Sequence, residues 1–281
     1  MGTWGTGLYD NDIARDVRGD YIDGLRRGKD GKQLFQSLLD SYRDEPDMTL
    51  FWLSLADTQW EYGRLMPEVK SQALSLIEQG SAQNQWHVAD AEKLSAWTET
   101  CHALMERLYS PQPSPKRVRP YRLYSCPWAI GDVYSYRLTG PYSQEKGFAG
   151  QYMVFRMVGT GTWWPGHTIP IVYFYKWIGD KVPSLEQLPT YDLLEVGFAP
   201  VALLKNPHLP RKYAVGLITE SAKDLPTEQL TYLGNIPERD STLSKNISQF
   251  NSVGWENSKY NTWIEEYMIR RYLEWRNVLG Q

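Results

Sequence analysis

Between residues 11 and 109 apolar side chains recur every three or four positions, the spacing of one face of an α-helix. Ile13, Val17, Tyr21 and Leu25 define a first helix, capped by Asn11 or Asp12 and stopped by Gly28 and Gly31. A second carries Leu34, Phe35, Leu38, Leu39 and Tyr42 on one side and ends before Pro46. Asp47 opens a third, whose Phe51, Trp52, Leu55, Ala56 and Trp60 mark it as the most buried. Pro67 starts a fourth, with Val69, Ala73, Leu76 and Ile77 inward and Gly80 as its stop. A fifth runs to about Tyr109 with Leu94, Trp97, Cys101, Leu104, Met105 and Leu108 on one face. Short turns between them predict a helical bundle over residues 1–109.

The period then breaks. Ser110 to Pro120 (SPQPSPKRVRP) holds four prolines and predicts an extended, basic linker over 110–121. Beyond it the pattern becomes strand-like: Gly131–Leu138, Gln151–Gly159, Thr168–Gly179, Lys212–Thr219 and a possible strand near Leu230. No helix separates them, so the spacing predicts an antiparallel sheet or small curled barrel over 122–281, closed by a helix from about Ser258 to Leu279. Ile264, Met268, Tyr272, Trp275 and Leu279 mark that helix's buried face, and Glu266 and Arg270 pair across one turn. The fold class is α+β.

Composition adds limits. Apolar residues are 42% and charged residues 22% of 281, which excludes disordered and fibrous classes. The net charge of −3 is too small to advertise nucleic acid or membrane. No apolar run is long enough to span a bilayer and the first residues are not a signal peptide, so a cytoplasmic protein is expected. Two cysteines cannot build a disulfide framework. Residues 1–110 hold 11 basic and 18 acidic side chains and the remainder 19 and 15, so the bundle is acidic and the sheet mildly basic.

Chemistry is sparse. There is no phosphate-binding glycine loop (GTGTW at Gly159–Trp163 lacks the lysine and the following helix), no nucleophile elbow and no zinc-protease motif. His102 and Glu106, with Cys101 and then His87 or Asp90, form the one metal arrangement worth naming, but Cys101 falls on the apolar stripe and a packed thiol is expected instead. His167 and His208 stand in loops as solvated side chains. No metal, cofactor or catalytic residue is assigned. Two features point to recognition. Asp12, Asp16 and Asp20 repeat at spacing four, a repulsive arrangement only partly explained by the helix dipole at Asp10 and Asp12. Trp163, Trp164, Tyr173, Tyr175 and Trp177 crowd one turn and one strand face, with Phe174 opposite.

The opening MGTWGTGLYDNDIARDVRGDY, continued by FWLSLADTQWEYGRL at Phe51–Leu65, resembles a widespread bacterial family of unknown function over residues 1–110. That resemblance implies a structured turn built on Trp4, Gly5 and Gly7 that folds over the bundle near Asp10 and Asp12. The segment WAIGDVYSYRL from Trp128, with QYMVFRMVG and YKWIGDKVPSLEQL, resembles immunity proteins of bacterial polymorphic toxin systems over about 125–240. It implies a protein that neutralises a toxin by binding it.

The sequence therefore reads as a non-enzymatic, protein-binding chain whose interface combines Trp163, Trp164, Tyr173, Tyr175 and Trp177 with Asp12, Asp16 and Asp20. The alternative is a ligand binder or enzyme with a pocket between bundle and sheet, lined by Asp10, Arg122, Asp132 and His167. A weaker alternative, nucleic-acid binding through Lys116, Arg117, Arg119 and Arg122, lacks a basic aromatic groove.

Overall fold

The computed structural model describes residues 3–45, 47–80, 91–197, 200–206, 208–209, 211–237, 250–256, 263–278 and 280. The chain divides into two compact units, Met1–Tyr121 and Arg122–Gln281.

The first unit holds α1 (Asp12–Arg26), α2 (Gly31–Tyr42), α3 (Met48–Glu61), α4 (Pro67–Glu78) and α5 (Ala91–Tyr109). Each of the first three opens on a side chain that satisfies an orphan amide: Asn11 accepts from Ile13 N, Asp30 from Lys32 N and Gln33 N, and Asp47 from Leu50 N. Helix α3 is central. It packs on α1, α4 and α5, and every residue from Leu50 to Gln59 except Trp52 is buried. In α4, Leu74 rather than Leu76 is buried beside Val69, Ala73 and Ile77. Residues 110–121 form no helix or strand but lie along the bundle. Lys116 N donates to Tyr62 O (3.0 Å), Gln112 Oε1 accepts from Leu65 N (3.0 Å), and Tyr121 OH donates to Asp23 Oδ1 (2.8 Å). Gly63, at φ +66°, lies so close beneath this segment that a Cβ would stand 2.4 Å from Pro113 O, so both conformation and contact demand glycine.

Among the described residues the second unit holds a six-stranded sheet in the order β5-β1-β2-β3-β4-β6. The strands are β1 (Asp132–Arg137), β2 (Tyr152–Trp163), β3 (His167–Gly179), β4 (Ala214–Ile218), β5 (Leu230–Asn235) and β6 (Asn251–Gly254), with α6 (Pro141–Glu145), α7 (Pro200–Lys205) and α8 (Ile264–Val278). The sheet is open, with β5 and β6 at its ends rather than joined into a barrel. All pairs are antiparallel except β4–β6, where Val215 to Ile218 run parallel to Asn251 to Gly254. That sixth strand is short and had no alternating signature of its own. Strand β2 runs four residues beyond Gly159, through Thr160↔Pro170 and Thr162↔Thr168 to Trp163↔His167, so the glycine-rich string is the end of a long ribbon.

Both faces of the sheet are covered. On one, Tyr136, Phe155, Phe174, Val215 and Trp255 pack with Ile264, Met268, Ile269 and Trp275 of α8. On the other, Val133, Val154 and Tyr175 meet Leu188, Tyr191 and Leu193 from the irregular stretch 180–197, while Tyr173 lies with Val158, Ile171 and Ala214. Helix α8 is anchored at its first turn: the fully buried Glu265 carboxylate accepts from Tyr136 OH (3.1 Å), Thr139 N (3.0 Å) and Gly140 N (2.9 Å). Glu266 and Arg270 make the expected one-turn ion pair at 2.5 Å, and the predicted ends of this helix at Ser258 and Leu279 lie outside the described residues.

Two glycines of α1 should respond oppositely to alanine. A Cβ on buried Gly24 would stand 2.2 Å from Leu34 Cδ1, whereas one on exposed Gly19 meets nothing within 4 Å. Urea unfolding should show Gly24→Ala less stable by about 1–2 kcal/mol through overpacking. Gly19→Ala should be more stable by about 0.5–1 kcal/mol through helix propensity.

Candidate functional site

The β2–β3 ribbon ends in a tight turn. Gly166 N donates to Trp163 O (2.7 Å), the Trp164–Pro165 peptide is cis, and Gly166 occupies φ +146°. Trp163 is half-buried, its indole N–H donating to Glu220 Oε1 (3.1 Å), while Trp164 is 68% exposed. The rest of the aromatic set does not join them at the surface. Tyr173 and Tyr175 are 1% and 6% exposed, and Trp177 is half-buried against Tyr191, ring centroids 6.2 Å apart. Alternation does send Phe174 to the opposite face, as expected, but each face has its own cover. The stretch 180–197 closes over Tyr175 without any periodicity that would have announced it.

The polar residues weighed with these are mostly committed. Asp132 accepts from Ala129 N (2.8 Å) and Asn235 Nδ2 (2.9 Å), fixing the start of β1 to β5. His167 is buried, not a solvated loop side chain, and its Nδ1 accepts from Tyr124 N (2.9 Å). Asp10 accepts from Gly7 N (3.0 Å), and Lys116 is paired with Glu61 (2.9 Å). Arg117, Arg119, Arg122 and His208 are exposed. Cys101 faces the core, its thiol pushed up to about 11 by burial, while His102 and Glu106 point outward, so the three share no ligand face. His87 and Asp90 lie outside the described residues; among those described, no three His, Cys, Asp or Glu side chains group closely enough to hold a metal ion.

Of the acidic series on α1, Asp16 and Asp20 are exposed and Asp12 is half-buried. Asp20 accepts from Tyr42 OH on α2 (2.9 Å), and Asp23, one turn on, from Arg27 (2.6 Å). Burial and the Asp20 carboxylate together raise the Tyr42 hydroxyl well above its ordinary range.

What the sequence did not disclose is a polar clasp around Asp57. This α3 carboxylate is 3% exposed. It accepts from Arg107 of α5 and from Tyr9 OH (2.8 Å), which in turn accepts from Arg18 of α1 (3.2 Å). One turn along, Glu61 receives Arg18 (2.6 Å) and Lys116 (2.9 Å). Burial, then Asp57, drive the Tyr9 hydroxyl far up; burial alone would raise Glu61, but the bonds from Lys116 and Arg18 hold it below the usual carboxylate range. A cleft of about 620 Å³ opens here between Tyr9, Arg15, Arg18, Asp57, Glu61 and Arg107. The loop bearing Tyr9 is itself ordered: Thr3 bridges Asn11, Trp4 N donates to Asp10 O (3.0 Å), and Arg15 lies 4.6 Å over the Trp4 ring. A Cβ on Gly5 would stand 2.3 Å from Asp10 Oδ2, which accounts for glycine in this turn. The opening segment and the Phe51–Leu65 segment thus meet at Asp57. Nothing in either flagged it, because its partners are 48 and 50 residues away.

The second unit carries a cavity of about 560 Å³ between α6, the turn at 223–226 and the start of α8. Its walls include Tyr136, Tyr142, Trp255 and Trp263.

No protein-family model, curated protein or solved structure matches the chain. Among the described residues no helix is long and apolar enough to cross a membrane.

The clasp yields two expectations. Asp57→Asn should lower the unfolding free energy by about 1–3 kcal/mol, less than a fully buried pair would give because the Arg107 side chain is 47% exposed and can rehydrate. Glu61 is more acidic folded than unfolded, so its contribution is present above its ordinary value of 4.5 and fades as pH falls through the folded value. Acid titration of stability should therefore show a shallower loss below pH 4.5 for Glu61→Gln than for the parent.

Proposed function

We propose that this protein acts by binding a protein partner and performs no chemistry of its own, with the β2–β3 turn as the principal contact. One observation carries the proposal: Trp164, 68% exposed, stands at the tip of a ribbon of 12- and 13-residue strands. An exposed indole on a rigid support supplies large contact area with little rotamer entropy lost, the property that makes tryptophan a frequent hot spot. Trp163, held by Glu220, completes the contact, while Tyr173 and Tyr175 are buried farther along β3. The acidic side chains of α1, Asp12, Asp16 and Asp20, favour a basic partner through long-range attraction. The resemblance of the sheet portion to immunity proteins makes a bacterial toxin the class of partner.

Affinity capture from the native host with the tagged full chain tests this. The parent should retain one polypeptide in stoichiometric amount. Trp164→Ala should weaken that complex by about 30-fold with unchanged thermal midpoint, the loss typical of a central tryptophan. Asp16→Asn with Asp20→Asn should slow association at low salt only. Undiminished affinity of Trp164→Ala would remove the turn from the interface, and the absence of any partner under gentle salt would remove the binding function.

A further inference from the structure

The cavity of the second unit combines aromatic walls with an excess of negative charge. Tyr136 and Trp255 lie in the same stack, 6.2 Å apart at 24°, both nearly inaccessible to bulk water, and Trp263 closes one side. Trp263 sits there because residue 140 is glycine: a Cβ at that position would fall 1.5 Å from the indole Cη2. Among the described residues, the carboxylates of Glu145, Asp224, Glu256, Glu265 and Glu266 stand around these rings, with Lys223 as the lining cation. Four of the five have partners in the structure. Glu265 binds Tyr136 OH and two backbone amides, and Asp224 accepts from the amides of Glu220 (2.7 Å) and Ser221 (2.8 Å). Glu266 is paired with Arg270 and Glu145 with Lys146, both ion pairs to side chains outside the lining set.

From this arrangement we infer that the cavity is a binding site for a small organic cation, an ammonium or guanidinium group on an apolar body. Three observations select that class. Counted with Lys223, Lys146 and Arg270, the five carboxylates still leave the described surroundings of the cavity net negative, which a cation relieves. The carboxylates are spread along the walls, and among the described residues no three of them group closely enough to hold a metal ion, so a diffuse charge fits better than a point charge. The half-buried rings of Tyr142 and Trp263 supply faces for the apolar body and for cation–π attraction, with Tyr136 and Trp255 packed behind them. This fold already uses that contact at the same place, with Lys146 and Arg270 each 5.5 Å from the Tyr142 ring centre. A volume near 560 Å³ is in the range of small-molecule sites and well beyond one captured side chain. The inference does not rest on the β2–β3 turn, and a partner protein is not required for it.

Titration of the full chain with benzamidine and phenethylamine, against benzamide and 2-phenylethanol as neutral counterparts, tests it by calorimetry and ligand-observed NMR. Both cations should bind with sub-millimolar constants, at least about tenfold tighter than their neutral counterparts, and more weakly in 0.5 M salt. The double variant Glu145→Gln, Glu256→Gln alters two exposed positions, so the thermal midpoint should hold while cation affinity falls about tenfold. Trp263→Phe should weaken cations and neutral compounds alike, locating both in the cavity. Equal affinity for cation and neutral counterpart, no binding of either cation at 5 mM, or unchanged affinity in the double variant would each overturn the assignment.

Discussion

A carboxylate taken out of water needs donors in place of water, and each unit of this chain is organised around one such group. In the first unit it is Asp57, on the most buried helix; in the second it is Glu265, in the first turn of α8. Neither sits at a surface where its partners would be optional. Asp57 draws in Tyr9 from the opening loop and Arg107 from α5, and its neighbour Glu61 adds α1 and the segment that follows α5. Glu265 draws in the end of β1 and the two amides that follow it. Apolar packing fills both cores, but these two side chains decide which non-helical segments lie against them.

That division explains what could be read from the sequence. Four helices of the bundle declare themselves because each buries one face, and Ile13, Val17 and Tyr21, or Trp97, Cys101, Leu104 and Leu108, fall at helical spacing; α3 declares itself by its apolar run and is buried nearly all round. Strands β1 to β5 declare themselves through β-branched and aromatic runs, and the α+β class follows. What stayed hidden is what has no period. The parallel strand β6 is four residues long. The stretch 180–197 covers a sheet face through Leu188, Tyr191 and Leu193 at irregular spacing, which turned an expected contact surface of Tyr173 and Tyr175 into core. The clasp at Asp57 joins residues from three distant segments, and one aspartate within a helix gives no sign of partners so far along the chain.

With both faces of the sheet covered, the candidate surfaces of the second unit are its ends and rims. The turn holding Trp164 is one such place and the cavity beside α6 and α8 another. They differ in kind. The turn is convex and offers one large side chain; the cavity is concave and offers several rings and carboxylates. A protein surface suits the former and a small molecule the latter.

The loop from Glu220 to Asp224 belongs to both places. The Glu220 carboxylate receives the Trp163 indole, while its backbone amide is held by Asp224, which lines the cavity. A compound that pulls on Asp224 and a protein that pulls on Trp163 would work against the same few bonds. Such sharing is reciprocal: whatever factor one occupant imposes on the affinity of the other must be returned unchanged, whichever arrives first.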